Sequence, residues 1–336
     1  MRARVRTPLA SMTTSPVSPL LAVVIPVYKG RHLADTLASF AAQTDRRFRV
    51  YIGDDASPEN LAAIVEPFRQ RLDIVYRRFG ENVGQASLIQ HYDRAIALGT
   101  EPWVWLFSDD DLVAPDCVEA FLSRLSAMES TEALFRFQMT MIDEEGREMP
   151  KTTDYPPHES WAEYARGLMR PETWVVVPNV IFRRSVYRET GGFYDFPKGL
   201  WSDLLSWARL AHRGGLVTLA QGRVYYRRHA TSISAELYFG FGDKQPLLES
   251  MHLMLVELRR LCAQRGAADL IPLRVQLSFY CRQFRYLSRS LTPCELAMAR
   301  QTLRELWPAS PLGREFAFGR QRVIPRLRQL KASLRR

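Results

Sequence analysis

Residues 21–28 read LAVVIPVY, the almost unbroken apolar run expected of a strand buried on both faces. The chain around it repeats one pattern. Residues 31–43 predict a helix with Leu33, Leu37, Phe40 and Ala41 on one side. Residues 48–53 (FRVYIG) predict a second strand ending at Asp54 and Asp55. Ser57-Pro58 predicts a second helix start, with Ser as N-cap and Pro at the first helical position. A third strand is expected at 72–77, a loop at 80–84 (GENVG), a helix over 85–98 and a fourth strand at 102–107 (PWVWLF). That strand runs into Ser108-Asp109-Asp110-Asp111. Strands alternating with helices mean parallel βαβ units. Ligands gather at the carboxyl ends of such strands, and both acidic groups fall there.

Beyond residue 130 the pattern changes. Residues 133–142 read as a strand, 144–146 as a turn, and 174–182 (WVVVPNVIF) as a strand whose Pro178 implies an edge or bulge. Gly191-Gly192 breaks the chain before a helix expected near Ser202, and 216–226 return as extended structure. From about 245 the chain reads as helical and basic. The predicted organisation is a disordered lead-in at 1–19, a domain at 20–240 divided into halves at 112/113, and a helical basic region at 241–336.

Net charge is +10, placed unevenly. Residues 241–336 hold 18 Lys/Arg and 7 Asp/Glu, 18 − 7 = +11, leaving −1 for the rest. Four cysteines, Cys117, Cys262, Cys281 and Cys294, form no CxxC pair, which argues against a zinc site or disulfide framework and fits a reducing cytoplasm. No stretch approaches the roughly 18–20 apolar residues of a membrane span.

Each chemical signal has a plainer structural alternative. Three aspartates after a buried strand repel one another unless a cation or solvent satisfies them. Their oxygens suit Mg²⁺ or Mn²⁺, which can bridge a diphosphate; a solvated capping turn is the alternative. Asp54 and Asp55 can accept from a pyrimidine N–H or ribose hydroxyls, or can form an Asx-turn. Asn82-Val83-Gly84 lets backbone approach a ligand or is an ordinary loop. Asp203 is placed to act as a general base kept ionised by its helix N-terminus, or only complements that dipole. In Tyr225-Tyr226-Arg227-Arg228-His229 the imidazole can complete a metal shell and an arginine can hold phosphate; a basic surface strand end is the alternative.

Taken in order, VVIPVY at 23–28, GDDAS at 53–57, ENVG at 81–84, FSDDDLVAPD at 107–116, GGF at 191–193, WSD at 201–203 and YYRRHATSIS at 225–234 resemble the family-2 inverting glycosyltransferases of the GT-A fold. The resemblance covers roughly 20–235. It implies an α/β fold, a GT-A Rossmann-like mixed sheet flanked by helices, with the basic helices as an extension. It implies that Pro26, Val27 and Tyr28 border the nucleotide, that Asp55 contacts the base with Asp54 beside it, and that Asn82 and Gly84 belong to the donor loop. Asp109 and Asp110 resemble the ribose- and metal-binding pair. Asp110 is the expected direct ligand of a divalent Mn²⁺ or Mg²⁺, with Asp111 and His229 completing the set; three aspartates leave the register open by one. Asp203 resembles the catalytic base and Arg228 a phosphate partner. Two features depart from the pattern: the spelling of the aspartates, and Leu88-Ile89-Gln90 where an arginine is expected. Either the donor is gripped differently, or Arg227 and Arg228 compensate.

The implied reaction moves a sugar from a nucleotide-diphosphate donor, UDP-linked, to a hydroxyl of a glycan or lipid-linked acceptor in envelope polysaccharide assembly. Acceptor specificity is expected within 140–200, around Trp161, Trp174 and Trp201. Residues 279–291 and 323–334 are amphipathic with arginine-rich polar faces. The first is expected to pack on the catalytic domain. For 320–336 two readings stand, packing or contact with an anionic membrane surface on the inner face of the cell membrane. A sugar-phosphate nucleotidyltransferase would need a Gly-rich basic loop after the first strand, and Tyr28-Lys29-Gly30-Arg31 is thin for that. A nucleic-acid-binding protein would match the charge, but no stacking motif accompanies it, so no nucleic-acid partner is expected.

Overall fold

The computed structural model describes residues 19–127, 131–170, 175–230, 232, 235, 242–287 and 291–308, without the side chains of 285–287. The opening apolar run forms β1 (Leu21–Val27), buried at every residue but Pro26. It is followed by α1 (Leu33–Ala41), β2 (Phe48–Asp54), α2 (Leu61–Val65), β3 (Ile74–Arg78), α3 (Leu88–Ile96) and β4 (Trp103–Leu106). The chain continues with β5 (Leu112–Val113), α4 (Cys117–Ser126), β6 (Leu134–Ile142), β7 (Glu148–Thr152), β8 (His158–Glu159) and α5 (Trp161–Gly167). Then come β9 (Val180–Arg183), α6 (Arg184–Glu189), α7 (Ser202–Leu210) and β10 (Leu216–Arg227). Three further helices are α8 (Gln245–Gln264), α9 (Leu273–Leu287) and α10 (Pro293–Leu306).

One mixed sheet runs β3-β2-β1-β4-β9-β6-β10-β5, with β7 on β6 and β8 on β10. The first four strands are parallel. β1 lies between β2 and β4, which explains an apolar sequence on both its faces. β9 runs antiparallel to β4 and β6, β10 parallel to β6, and β5 antiparallel to β10. The α/β mixed sheet is the one expected from the sequence.

The sheet divides the apolar interior into two clusters. One joins α1, α2 and α4 to one face, with Phe40, Trp105, Phe107 and Phe137 fully buried within it. Phe40 meets Trp105 and Phe107 edge-on at 5.6 and 4.9 Å, while Phe137 stacks on Trp105 at 5.0 Å. Each fully buried side chain of this size contributes about 1.5–3 kcal/mol. The other cluster joins α3, α5 and α7 to the opposite face and extends without a break into α8, α9 and α10. Phe279, Tyr280, Phe284 and Leu291 are buried there, so the first amphipathic segment packs inward as expected. Residues 241–308 therefore share the core of the preceding domain; 320–336 lie outside the described residues.

Two expected elements moved. The second helix begins at Leu61 with Asn60 as its cap, not at Ser57-Pro58. The Ser57 hydroxyl is spent elsewhere: it donates to the Tyr28 carbonyl at 2.6 Å and accepts from Glu59 N–H at 3.1 Å. The strand expected at 174–182 is only Val180–Arg183, preceded by a 3₁₀ turn at Val177–Asn179. Pro178 has no N–H for a ladder. Its carbonyl instead accepts from the Trp105 indole at 2.7 Å, and the strand after it is internal rather than at an edge. Among the described residues no helix is long and apolar enough to cross a membrane.

Candidate functional site

The carboxyl ends of β1, β2 and β4 open into a cavity of about 810 Å³. Of the sequence-derived site residues, Pro26, Tyr28, Asp55, Asn82, Gly84, Asp109, Asp110, Asp203 and His229 line it. Val27, Asp54, Asp111 and Arg228 do not.

Asp54 is held within the sheet. Its carboxylate accepts from Ser57 N–H at 2.8 Å and from Tyr76, and pairs with Arg78 at 3.0 Å. This is the Asx-type turn, and it removes Asp54 from ligand contact. Val27 is core, its carbonyl accepting from Asp55 N–H at 2.9 Å. Asp55 faces the other way. Its carboxylate accepts from Val83 and Gly84 N–H at 3.1 and 2.9 Å, and pairs with Arg94. A Cβ at residue 84 would lie 2.5 Å from Asp55 Oδ2, so the glycine permits this backbone approach. Arg94 lies 4.0 Å over the Phe79 ring and also donates to Glu81 O. An arginine thus serves this loop after all, from the last turn of α3 rather than from 88–90.

The pairing of β5 with β10 turns the aspartates in different directions. Leu112 faces Tyr225, so Asp111 meets the backbone of Arg227, whose N–H donates to Asp111 Oδ1 at 2.7 Å. Asp110 instead points across to His229, with Oδ2 and Nε2 at 2.8 Å. Burial, then Asp110, holds the Asp111 carboxyl well above the usual carboxylate range. The same two causes raise Asp109, with Lys29 opposing. The three-ligand set Asp110, Asp111 and His229 is not assembled, because Asp111 is turned away. Among the described residues no group of three His, Cys, Asp or Glu side chains is placed to hold a metal. Asp110 and His229 still present an oxygen and an imidazole nitrogen together, donor types that suit a divalent cation.

The arginines of the YYRRH segment do not replace a missing phosphate contact. Arg227 is buried and braces three segments, donating to Asp110 O at 2.7 Å and Glu144 O at 2.6 Å and pairing with Asp35 at 3.4 Å. Arg228 is exposed outside the cavity lining, its N–H on Ile142 O at 2.9 Å. Among the described residues the cations lining the cavity are Lys29, Arg31 and Lys198. His32 lines it beside them as a neutral imidazole. Its ring lies 5.5 Å from that of His229, and burial, then Arg227, lowers its pKa. Lys29, Arg31 and His32 sit immediately after β1, and that position was the signal available for them.

Asp203 also lines the cavity, from the first turn of α7. Leu204 N–H donates to its Oδ1 at 2.8 Å. Burial pushes its carboxyl up to about 7, against hydrogen bonds from Leu204 and its own N–H. The helix N-terminus was expected to favour the charged form; desolvation outweighs it. The turn before it has left-handed backbone at Lys198 (φ 56°) and Trp201 (φ 57°), uncommon for side chains of this size. Trp201 lines the cavity and meets Phe279 edge-on at 6.4 Å. Trp161 packs against the core with Arg265 5.0 Å over its ring; Trp174 lies outside the described residues.

Comparison with known proteins fits this geometry. The family model described as "Glycosyl transferase family 2" matches residues 22–191, just over half of the chain. The chain belongs to glycosyl transferase family 2. An uncharacterised glycosyltransferase of Rickettsia typhi (strain ATCC VR-144 / Wilmington) is 24% identical over 139 residues, 41% of this chain and 42% of that relative. The match therefore spans less than half of the relative's length. Among solved structures, S. aureus TarS 1–349 in complex with UDP-GlcNAc superposes with a TM-score of 0.67 at 17% identity, covering 94% of this chain and 91% of that one. The mannosyltransferase PcManGT from Pyrobaculum calidifontis, in complex with GDP-Man and Mn²⁺, gives 0.51 at 14% identity, covering 90% and 85%. The fold is GT-A. The family match ends before Asp203 and His229, but both TarS and PcManGT superpose over nearly the whole of this family-2 chain.

Proposed function

We propose that this protein is an inverting glycosyltransferase that moves a sugar from a UDP-linked donor to a hydroxyl of a glycan or lipid-linked acceptor. The observation that carries the reading is one cavity lined both by Asp203, raised to about 7, and by Asp55, Asp109, Asp110 and His229. A carboxylate with that affinity for protons is a far stronger base than an ordinary aspartate and is still ionised in useful amount near neutrality. It takes the proton from the acceptor hydroxyl as the oxygen attacks the anomeric carbon. The nucleoside diphosphate leaves from the opposite face, so one displacement inverts the configuration. Lys29 and Arg31 offer positive charge to the diphosphate. Asp110 and His229 would hold a divalent cation, Mn²⁺ or Mg²⁺, which supplies neutralisation of the leaving charge. For a lipid-linked acceptor of envelope polysaccharide assembly, the enzyme works in the cytoplasm against the inner face of the membrane.

The test is product analysis with a panel of nucleotide sugars. Wild type releases nucleoside diphosphate and forms the inverted glycoside, and Asp203→Asn forms none while still binding nucleotide. Release of pyrophosphate, or wild-type turnover by the variant, would overturn the assignment.

A further inference from the structure

The donor loop leaves one buried polar atom without a partner. His91, on α3, is 3% exposed and is one of the residues lining the cavity, beside Asp55, Asn82 and Gly84. Its Nδ1 lies 3.7 Å from Asp55 Oδ1 and accepts from Arg94 Nε at 3.4 Å. A guanidinium only donates, so Nδ1 is the lone-pair nitrogen and the proton sits on Nε2. That N–H is covered and has no hydrogen-bond partner among the described residues. Burial, with Arg94 helping and Asp55 opposing, lowers the ring's pKa to about 4, so it remains a neutral donor at pH 7. Gly84 packs directly on it; a Cβ there would lie 3.6 Å from His91 Cβ. A buried donor left unpaired is rare enough in folded proteins to need a cause, and an acceptor brought by a ligand supplies one.

We infer that His91 is a specificity-determining residue that reads the nucleobase, its Nε2–H donating to a ring carbonyl oxygen, so that the site takes a uridine or guanosine diphosphate over cytidine or adenosine. The inference rests on the nucleotide-sugar reading above and deepens it. Asp55, the adjacent acceptor, and His91, the donor, together match an N–H next to a C=O. Uracil presents that edge at N3 and O4, and guanine at N1 and O6. Cytosine and adenine place a lone pair and an amine in the same two positions. His91 lines the cavity and Arg94 does not; Arg94 Nη2 is engaged by Asp55 and Glu81 O, and its Nε by His91.

The experiment is calorimetric titration of UDP, GDP, CDP and ADP, each with Mn²⁺, into the full chain as wild type, His91→Phe and His91→Gln. Thermal melting checks that each variant folds. Wild type should bind UDP or GDP about tenfold or more above CDP and ADP, the discrimination expected when a buried polar group is left unpaired by the wrong base. His91→Phe keeps the ring's bulk without the donor and should shrink the preference several-fold, Asp55 keeping the remainder. His91→Gln returns an N–H and should restore part of the lost preference. An affinity ratio unchanged in His91→Phe, or a wild-type preference for CDP or ADP, overturns the role of His91. Binding of none of the four by wild type fails in a different way, by removing the nucleotide reading on which the inference stands.

Discussion

Replacing Asp203 by Asn should abolish transfer and at the same time stabilise the protein. An unfolded aspartate titrates near 3.8, and burial raises this one to about 7. The folded state therefore binds the proton more tightly than the unfolded chain does. Below pH 3.8 both states are protonated and the shift has no effect on stability. As pH rises from there, the unfolded chain ionises first and gains, and folding loses stability until pH passes 7. A gap of about three pKa units corresponds to about 4 kcal/mol, an upper figure because the side chain is partly exposed. Asn removes the charge and keeps an oxygen to accept from Leu204 N–H. Urea denaturation at pH 5, 6, 7 and 8 without ligands should show the variant about 2–4 kcal/mol more stable at pH 8, the gain shrinking steadily toward pH 4. The rate has the opposite dependence. About a tenth of the base is ionised at pH 6 and nine tenths at pH 8, so wild-type kcat/KM should rise roughly tenfold across that interval. Two results refute the reasoning: a variant less stable than wild type at pH 8, or a basic limb that has already levelled by pH 5.

Four more variants probe the cavity and the C-terminal segment. Asp110→Asn and His229→Ala should each remove the thermal stabilisation that Mn²⁺ adds in the presence of UDP, and cut turnover about 100-fold; retention of the Mn²⁺-dependent shift would detach the pair from cation binding. Gly84→Ala puts a Cβ 2.5 Å from Asp55 Oδ2 and should weaken UDP binding about tenfold by lifting the 82–84 backbone off that carboxylate, read by calorimetry; unchanged affinity would show that the loop yields without cost. Deleting 320–336 should move the protein from the membrane to the soluble fraction on sedimentation of cell lysate, with turnover on a soluble acceptor unchanged. An unaltered distribution would leave those arginines without a membrane role.

The first half of the fold was legible because its signals are local. A strand buried on both faces must be largely apolar, and LAVVIPVY and PWVWLF are so, as is FRVYIG apart from Arg49, which reaches out to Asp73. Where tertiary contacts compete with a local rule, the reading slipped. Ser57-Pro58 satisfies every rule for a helix start, yet the Tyr28 carbonyl takes the Ser57 hydroxyl. Pro178 was read as an edge because the sequence does not show that a 3₁₀ turn places it just outside an internal strand. The directions of the aspartates depended on which residue of β10 lies opposite Leu112, a pairing more than a hundred residues distant. Arg94 was recoverable: His91 and Arg94 stand three apart on one helix and so share a face, and the search stopped at 88–90. His32 was not, since nothing local says that a histidine after KGR approaches one almost two hundred residues later.

The basic C-terminal third was expected to pack through its 279–291 helix, and within the described residues several of its arginines are structural. A helix leaves its last carbonyls without partners, and arginines can fill them. Arg259 donates to Leu306 O at the end of α10, Arg265 to Arg209 O near the end of α7, and Arg282 to Met169 O just beyond α5. Each guanidinium ties one helix to another at a point where apolar packing alone leaves a polar atom exposed. The same layer supports the turn that carries Asp203. Ser250 on α8 donates to Pro197 O at 3.0 Å, and Phe279 on α9 packs on Trp201, flanking the two left-handed residues that precede Asp203. Backbone of that kind persists only where its surroundings over-determine it. The helices at 245–306 are therefore part of what holds the Asp203 turn in place, and a chain cut near 240 would lose both this support and one wall of the larger apolar cluster.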